Sequence, residues 1–256
     1  MAIIKTEAVV LKVDNYRESS KLLTLFTRTH GKIRCIAKGV RKPEAKWGGT
    51  LQSMACLNII FYYKENRNLN LISNAEYKYS NSNLYKNYEK LNIGYRIIEI
   101  VNKTTTDYHE NQELFELLTL ALRKLNYATK NYVNVLFKFE FDLAKILGFA
   151  FDIEKLQKFN EGKVSMNMKK NHGLYMNGSS VQKDGNDNSV VKEPSSTYLK
   201  TENRFIDLLN NGNFDDIIEV SLIKKSSDRI EKFLESHFIE HIANIGMLKS
   251  KKVAIN

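Results

Sequence analysis

The sequence predicts an α+β protein of more than one domain, with a small strand-rich domain followed by a helical domain. Across residues 2–79, apolar and polar residues alternate in five short runs, as in half-buried β-strands. From residue 80 onward, the apolar residues recur at the three- and four-residue spacing of amphipathic helices. Residues 1–80 hold 14 Lys and Arg against six Asp and Glu, whereas the whole chain of 256 residues holds 39 against 29. We therefore expect a cationic domain at residues 1–79 and a nearly neutral domain at residues 80–256.

The first domain contains five runs that favour β-strands. They are residues 3–13, 22–27, 33–37, 56–63 and 68–75. Asp14 and Asn15 interrupt the first run, and we expect that strand to end there. His30 and Gly31 favour a hairpin turn, because glycine readily adopts a positive φ. Five short strands in a domain of this size are typical of a closed barrel or a sandwich.

The second domain contains apolar stripes that predict a helical bundle. The first stripe is Leu84, Tyr88, Leu91, Tyr95 and Ile98; the second is Leu114, Leu117, Leu118, Ala121, Leu122 and Leu125; the third is Val133, Leu136, Phe137, Phe141 and Ala144. Gly148 is expected to end the third helix. Helical spacing returns at residues 199–209 and 228–245.

An irregular insertion is expected at residues 158–197, which are rich in Gly, Asn, Lys and Ser. Within it, residues 164–166 and 174–176 favour a short β-hairpin, and residues 182–192 favour a flexible loop. Residues 249–252 form a basic tail.

The cations of the first domain are concentrated in residues 28–46, where seven Lys and Arg accompany the single acid Glu44. A solvated charged face would ordinarily mix both signs, whereas a one-signed strand and loop ending in an indole favour binding to a nucleic acid. The candidate binding residues are Arg17, Lys21, Arg28, Lys32, Arg34, Lys38, Arg41, Lys42, Lys46 and Trp47.

Motifs for other chemistries are few. The sequence holds no P-loop, no dinucleotide-binding glycine motif and no Gly-x-Ser-x-Gly elbow. Cys35 and Cys56 lie in strand-like runs and are expected to be buried hydrophobic residues. His237, Glu240 and His241 spell H-x-x-E-H, which leaves a metal-dependent hydrolase as an alternative. We favour ordinary surface or core histidines there, and we expect no metal and no cofactor.

The sequence also bears on location. No run approaches the roughly 18 apolar residues of a membrane span. Lys5, Glu7 and Lys12 do not fit a secretory signal peptide. We therefore expect a cytoplasmic protein without a membrane partner.

Several motifs carry a resemblance to a known family. They are Lys-Leu-x-Thr-Leu-Phe-Thr at residues 21–27, His-Gly-Lys at 30–32, Lys-Gly-x-Arg-Lys-Pro at 38–43 and Gly-Gly-x-Leu at 48–51. This run is similar to the start of the bacterial DNA repair protein RecO family, densely over residues 3–55. The resemblance implies an OB-fold barrel followed by a helical domain.

The resemblance also implies a function without a catalytic step. Members of the family are recombination mediators that bind single- and double-stranded DNA, anneal complementary strands and help to load RecA. The partners implied are RecR and the single-strand DNA-binding protein, and we expect the chain itself to be a monomer. Many members carry a four-cysteine zinc module after the third helix, but no cysteine follows Cys56 here, so we expect a zinc-free hairpin. An OB-fold RNA-binding protein of the translation apparatus remains an alternative.

Overall fold

The computed structural model describes residues 2–64, 68–160, 165–168, 174–177 and 196–242, and side chains within residues 2–64, 68–159 and 199–242. The described residues divide into two compact units, residues 2–132 and residues 133–242.

The first unit is built on a closed five-stranded barrel. Its strands are β1 (Ala2–Tyr16), β2 (Ser20–Thr27), β3 (Gly31–Ala37), β4 (Cys56–Tyr63) and β5 (Asn70–Tyr79). They close in the order β1-β2-β3-β5-β4, with β4 returning to β1, which is the arrangement of an OB-fold. The predicted barrel is therefore confirmed. The predicted end of the first strand is wrong, because Asp14 and Asn15 continue to pair with Leu22 and Lys21 of β2.

Alternating side chains of the strands fill the barrel. Inward-facing residues include Leu23, Leu25, Ile33, Cys35, Leu57, Ile59 and Phe61. Cys35 and Cys56 are buried as expected, and burial raises the pKa of both thiols, to about 12 for Cys56. Both side chains therefore act as small apolar residues rather than as thiolates.

Two helices complete the first unit, α1 (Tyr88–Thr104) and α2 (Gln112–Tyr127). Each begins at an asparagine whose side chain accepts a hydrogen bond from the amide three residues later, Asn87 from Lys90 and Asn111 from Leu114. The predicted stripe of α2 is confirmed, because all six of its residues are buried.

The predicted stripe of α1 is wrong in part. Tyr88 and Tyr95 are 63% and 40% exposed. The buried face is instead an isoleucine and valine stripe, made of Ile93, Ile97, Ile98, Ile100 and Val101. Tyrosine fits the same spacing but tolerates water at its polar end, so spacing alone did not identify the core face.

The connector between α1 and α2 lies along the beginning of β3. Lys32 and Asp107 form a parallel β-bridge, and the amide of Tyr108 donates to the carbonyl oxygen of Lys32 at 2.9 Å. Strand β5 pairs with β3 only further on, at Cys35 and Ile36. The connector and β5 therefore share one edge of β3.

The second unit contains five helices and a hairpin in the part of the chain that the structure describes. The helices are α3 (Tyr132–Ile146), α4 (Ile153–Asn160), α5 (Ser196–Asn211), α6 (Phe214–Ile218) and α7 (Lys224–His241). Gly148 follows α3 at φ +84°, as expected for a helix end. Strands β6 (Ser165–Met168) and β7 (Leu174–Asn177) pair in antiparallel fashion, which confirms the predicted hairpin. The predicted loop at 182–192 and the basic tail at 249–252 lie outside the described residues.

Helix α3 is the central helix of this unit. Ten of its residues are buried, from Asn134 to Ala144. The Asn134 amide donates to the carbonyl oxygens of Ile217 at 2.9 Å and Val220 at 2.7 Å, which ties the end of α6 to α3. No helix in the described part of the chain is both long and apolar enough to cross a membrane.

Gly31 and Gly39 offer a matched test of the connector. Both have positive φ, +59° and +71°, so an alanine would be strained at either position. A Cβ at Gly31 would lie 2.0 Å from the carbonyl oxygen of His109, whereas a Cβ at Gly39 would meet nothing within 4 Å. We expect Gly31→Ala to lower the free energy of unfolding by about 1–3 kcal/mol more than Gly39→Ala does. The reason is that only the new Cβ at position 31 would be overpacked, and overpacking commonly costs that much. Urea denaturation of both variants measures this difference. Equal losses would show that the connector does not constrain Gly31.

Candidate nucleic-acid interface

The outer face of β2 and β3 is divided into a covered half and an open half. Lys32, Arg34 and Ile36 alternate with the buried residues of β3 and therefore face outward, and Lys38 directly follows the strand. At the covered end, Phe26 of β2 pairs with Lys32 and packs on Phe115 of α2, with 6.3 Å between ring centroids. At the other end, Arg34 and Lys38 are exposed.

Arg28 lies at the covered end and is occupied by two acids. Its guanidinium donates to Glu116 at 2.6 Å and, through two nitrogens, to Glu7 at 3.0 and 3.1 Å. It also lies over the ring of Phe115, 4.9 Å from the centroid. The hydrogen bond to Glu116 is the main cause of the raised pKa of Arg28. The charge of Arg28 is therefore neutralised within the unit.

Glu7 is the other half of this arrangement. Burial would raise the pKa of Glu7, but hydrogen bonds from Lys78 and Arg28 outweigh burial and hold it below its ordinary value. Glu7 is thus an anion with two cationic partners, and it joins β1 to the residues after β2 and to β5.

Lys32 is occupied by backbone carbonyl groups. Its ammonium donates to the carbonyl oxygens of Asn102 at 2.9 Å and Thr105 at 2.6 Å, and its side chain is 13% exposed. Both acceptors lie at the carboxyl end of α1, where carbonyl groups lack intrahelical partners and a positive charge is favourable. Lys32 therefore caps α1 from the barrel.

Lys21 holds the basic loop that follows β3. Its ammonium donates to the carbonyl oxygens of Gly48 and Leu51, both at 3.2 Å. Burial, and then the nearby charge of Arg41, lower the pKa of Lys21. A Cβ at Gly48 would lie 1.8 Å from the carbonyl oxygen of Val40, so only glycine permits this return of the loop. The first glycine of the Gly-Gly pair thus has a steric role.

The six other predicted cations are exposed: Arg17, Arg34, Lys38, Arg41, Lys42 and Lys46. Arg17, Lys38 and Arg41 line an open groove of about 830 Å³ between the β1–β2 turn and the end of β3. The Arg41 guanidinium donates to the carbonyl oxygen of Arg17 at 3.0 Å, and the Arg41 amide donates to that of Ser19 at 3.0 Å. These contacts bring the turn and the loop together, so cations distant in sequence share one groove.

Two aromatic residues near the exposed cations, Tyr16 and Trp47, have different surroundings. Tyr16 lines it, half-buried, with the Arg17 guanidinium 5.2 Å from its ring centroid. Trp47 is also half-buried, and it packs against the core of the barrel. A stacking role for Trp47 stays a prediction, because part of its indole already has a structural contact.

Sequence patterns did not reveal the groove itself. Ser19 and Ser20 line it alongside Glu18, and none of the three belongs to the predicted set. The turn residues between β1 and β2 were the available clue, since loops at barrel ends commonly carry the binding residues of an OB-fold.

The H-x-x-E-H residues lie in the second unit, in the last turn and a half of α7. One donor atom from each of His237, Glu240 and His241 lies within 4.8 Å of the other two. Burial lowers the pKa of His237, and a hydrogen bond with Phe149 only partly offsets that effect. The structure therefore brings these three side chains together, at positions where the sequence favoured ordinary surface or core histidines.

Comparison with known proteins connects the barrel and the helices to one family. Residues 1–81 match the family described as Recombination protein O N terminal, and residues 85–252 match Recombination protein O C terminal. The chain belongs to the RecO family. The resemblance noted in the sequence is thereby confirmed.

Individual RecO proteins show the same relationship. The chain is 34% identical over 154 residues to the DNA repair protein RecO of Salinibacter ruber, covering 60% of this chain and 59% of that protein. It is 26% identical over 255 residues to that of Chloroherpeton thalassium, covering 98% and 97%. It is 34% identical over 154 residues to that of Chlorobium limicola, covering 60% and 59%. The alignments of higher identity thus span about three-fifths of those RecO proteins.

Lys32 and Arg34 separate the structural cations from the exposed ones. Lys32→Ala removes two hydrogen bonds from a charged donor, and we expect it to lower the free energy of unfolding by about 1.5–3 kcal/mol. Arg34→Ala, two residues away on the outward side of β3 but exposed to solvent, should change that free energy by no more than about 0.5 kcal/mol. Thermal and urea denaturation of both variants measure the contrast. Equal stability of the two variants would refute the capping role of Lys32.

Proposed function

We propose that this RecO-family protein binds single- and double-stranded DNA through the open half of its barrel. The observation that carries the proposal is the group of six exposed cations, three of which line one groove of an OB-fold barrel. Arg28, Lys32 and Lys21 are left out of the proposed contacts, because each is engaged by acids or carbonyl groups of its own unit. Trp47 remains a candidate for base stacking at the margin of the basic loop.

The proposed mechanism is electrostatic. Lys and Arg side chains that contact phosphates release condensed counterions, so affinity falls steeply as the salt concentration rises. Such contacts carry little sequence information, which suits a protein that acts on any damaged site. A surface that neutralises two strands at once also lowers their mutual repulsion, and the bases can then search for complementary pairs. Annealing of complementary strands therefore follows from charge and requires no bond-making step.

The wider role that we propose is that of a non-enzymatic recombination mediator. RecR and the single-strand DNA-binding protein are the partners we propose, with RecA loading as the outcome. We assign DNA capture to residues 1–79 and partner docking to the helical residues 80–256. We further propose that the protein works as a monomer. We place it in the cytoplasm, where bacterial DNA and these partners are found.

Family membership favours this role over the two alternatives raised by the sequence. The RecO proteins that match this chain are named as DNA repair proteins. An RNA-binding protein of the translation apparatus would also use a cationic OB-fold, so the two roles must be separated by competition. A structured RNA hairpin should displace bound single-stranded DNA less effectively than unlabelled single-stranded DNA of equal length does at the same salt concentration.

The first prediction concerns the salt dependence of DNA binding. Lys38 and Lys42 are both exposed, and Lys38→Gln/Lys42→Gln should weaken binding to single-stranded DNA of any sequence. Each lost phosphate contact on a single strand flattens the slope of log affinity against log salt by about 0.7, so the double variant should lose about 1.4. Fluorescence anisotropy across a salt series measures the slope.

A charge-matched variant provides the control. Lys86→Gln/Lys200→Gln removes the same number of charges from exposed positions, one just before α1 and one in α5, and should leave the slope close to that of the unmodified protein. Melting curves must show that both variants are folded. Identical slopes for the two double variants would mean that overall charge, rather than the exposed cations of the open half of the barrel, binds DNA.

The second prediction concerns annealing. The unmodified protein should accelerate the pairing of complementary oligonucleotides in the presence of EDTA, because the proposed mechanism needs neither a metal nor a nucleotide. Lys38→Gln/Lys42→Gln should slow this pairing, and Lys86→Gln/Lys200→Gln should not. A strand-pairing assay with labelled oligonucleotides, bare or coated with single-strand DNA-binding protein, gives the rates. An unmodified protein that fails to accelerate pairing of bare strands would overturn the annealing role.

A further inference from the structure

We propose that His237, Glu240 and His241 of α7 form a binding site for a divalent transition-metal ion, with Zn²⁺ as the best-suited ion. Two imidazole nitrogens and one carboxylate oxygen of these residues lie within 4.8 Å of one another. The proposal is independent of the DNA-binding role, because all three residues lie in the second unit.

The helix itself accounts for the grouping. Positions 237 and 241 are one turn apart, and 237 and 240 are three residues apart, so the three side chains leave the same side of α7. Glu240 and His241 are exposed and His237 is half-buried, so an ion can reach the donors from solvent.

Backbone carbonyl groups set the tautomers of both histidines. Nε2 of His237 lies 2.6 Å from the carbonyl oxygen of Phe149, and Nδ1 of His241 lies 2.9 Å from that of His237. A carbonyl oxygen only accepts, so each of these nitrogens carries the proton. Nδ1 of His237 and Nε2 of His241 are then the nitrogens with free lone pairs. Orientation of a histidine by a carbonyl group on its other nitrogen is the usual support for a metal ligand.

An aromatic wall holds the rings in place. The ring of His241 stacks on Phe149, with centroids 5.3 Å apart and planes 11° apart. Phe151 lies 4.2 Å from the ring of His237, and the two imidazole centroids are 4.1 Å apart. Rings packed in this way lose little further freedom on binding an ion.

The donor set favours zinc over calcium or magnesium. Imidazole nitrogen suits Zn²⁺, Ni²⁺ and Cu²⁺, whereas Ca²⁺ and Mg²⁺ require oxygen ligands. Zinc bonds of about 2.0–2.2 Å place neighbouring donor atoms roughly 3.3 Å apart. The donors here lie within 4.8 Å of one another, and a change of rotamer at the flexible Glu240 can bring its carboxylate closer. Three protein ligands leave a fourth position for water. We assign no reaction to this site, and its expected effect is to stabilise the last turns of α7, which carries all three ligands.

The experiment measures zinc binding to the full-length protein after removal of metals by a chelator. Isothermal titration with ZnCl₂ should show one ion per chain for the unmodified protein. His241→Ala and Glu240→Gln alter exposed side chains and should weaken binding about 10- to 100-fold, as the loss of a ligand or its support commonly does. His109→Ala, which removes an exposed histidine of the first unit, should bind zinc as the unmodified protein does. MgCl₂ should give no binding.

Thermal melting supplies a second readout. Zinc at a hundredfold excess over its dissociation constant should raise Tm by about 5 °C or more in the unmodified protein and in His109→Ala. It should raise Tm much less in His241→Ala. An absence of stoichiometric binding would overturn the proposal. So would equal zinc affinity for the unmodified protein and His241→Ala, or a loss of binding confined to His109→Ala.

Discussion

The first unit depends on the docking of the α1–α2 connector against the beginning of β3. This one contact completes a strand edge that β5 leaves uncovered, and it brings the carboxyl end of α1 to the ammonium of Lys32. Asn70 of β5 strengthens it, because its side-chain amide donates to the hydroxyl of Tyr108 at 3.1 Å. Without the connector, Lys32 would be one more exposed cation and the barrel would have an open edge.

The same contact explains how the cations are divided. Lys32 and Arg28 are engaged where α1 and α2 of the same unit cover the barrel, and Arg34, Lys38 and Arg41 are exposed. An exposed cation adds little to stability, since surface ion pairs contribute about 0–1 kcal/mol. Unneutralised cations gathered around a groove instead create a positive potential that attracts a polyanion. The engaged cations therefore stabilise the fold, whereas the exposed cations are suited to binding a polyanion.

The sequence predicted those features that depend on nearby residues. The alternation in β3 and the stripe of α2 identified the correct buried faces, because both are periodic along a single element. The internal partners of Lys32 and Arg28 were not predictable, since the acceptors lie 70 and 88 residues away in the chain. The spacing of His237, Glu240 and His241 was visible, but the orientation of the rings by Phe149 and Phe151 depends on tertiary packing. A charge count along the sequence thus found the cationic region and could not assign its members to separate roles.

The shared edge of β3 has a consequence for the order in which the protein is made. The carbonyl acceptors of Lys32, on Asn102 and Thr105, leave the ribosome at least 70 residues after Lys32 itself. Until then, the nascent barrel has an unpaired strand edge and an excess of positive charge beside the negatively charged ribosomal RNA. Long-range contacts of this kind slow folding, because the chain between them must be ordered first. The N-terminal barrel, although first to be synthesised, is therefore completed only when α1 and its connector have emerged.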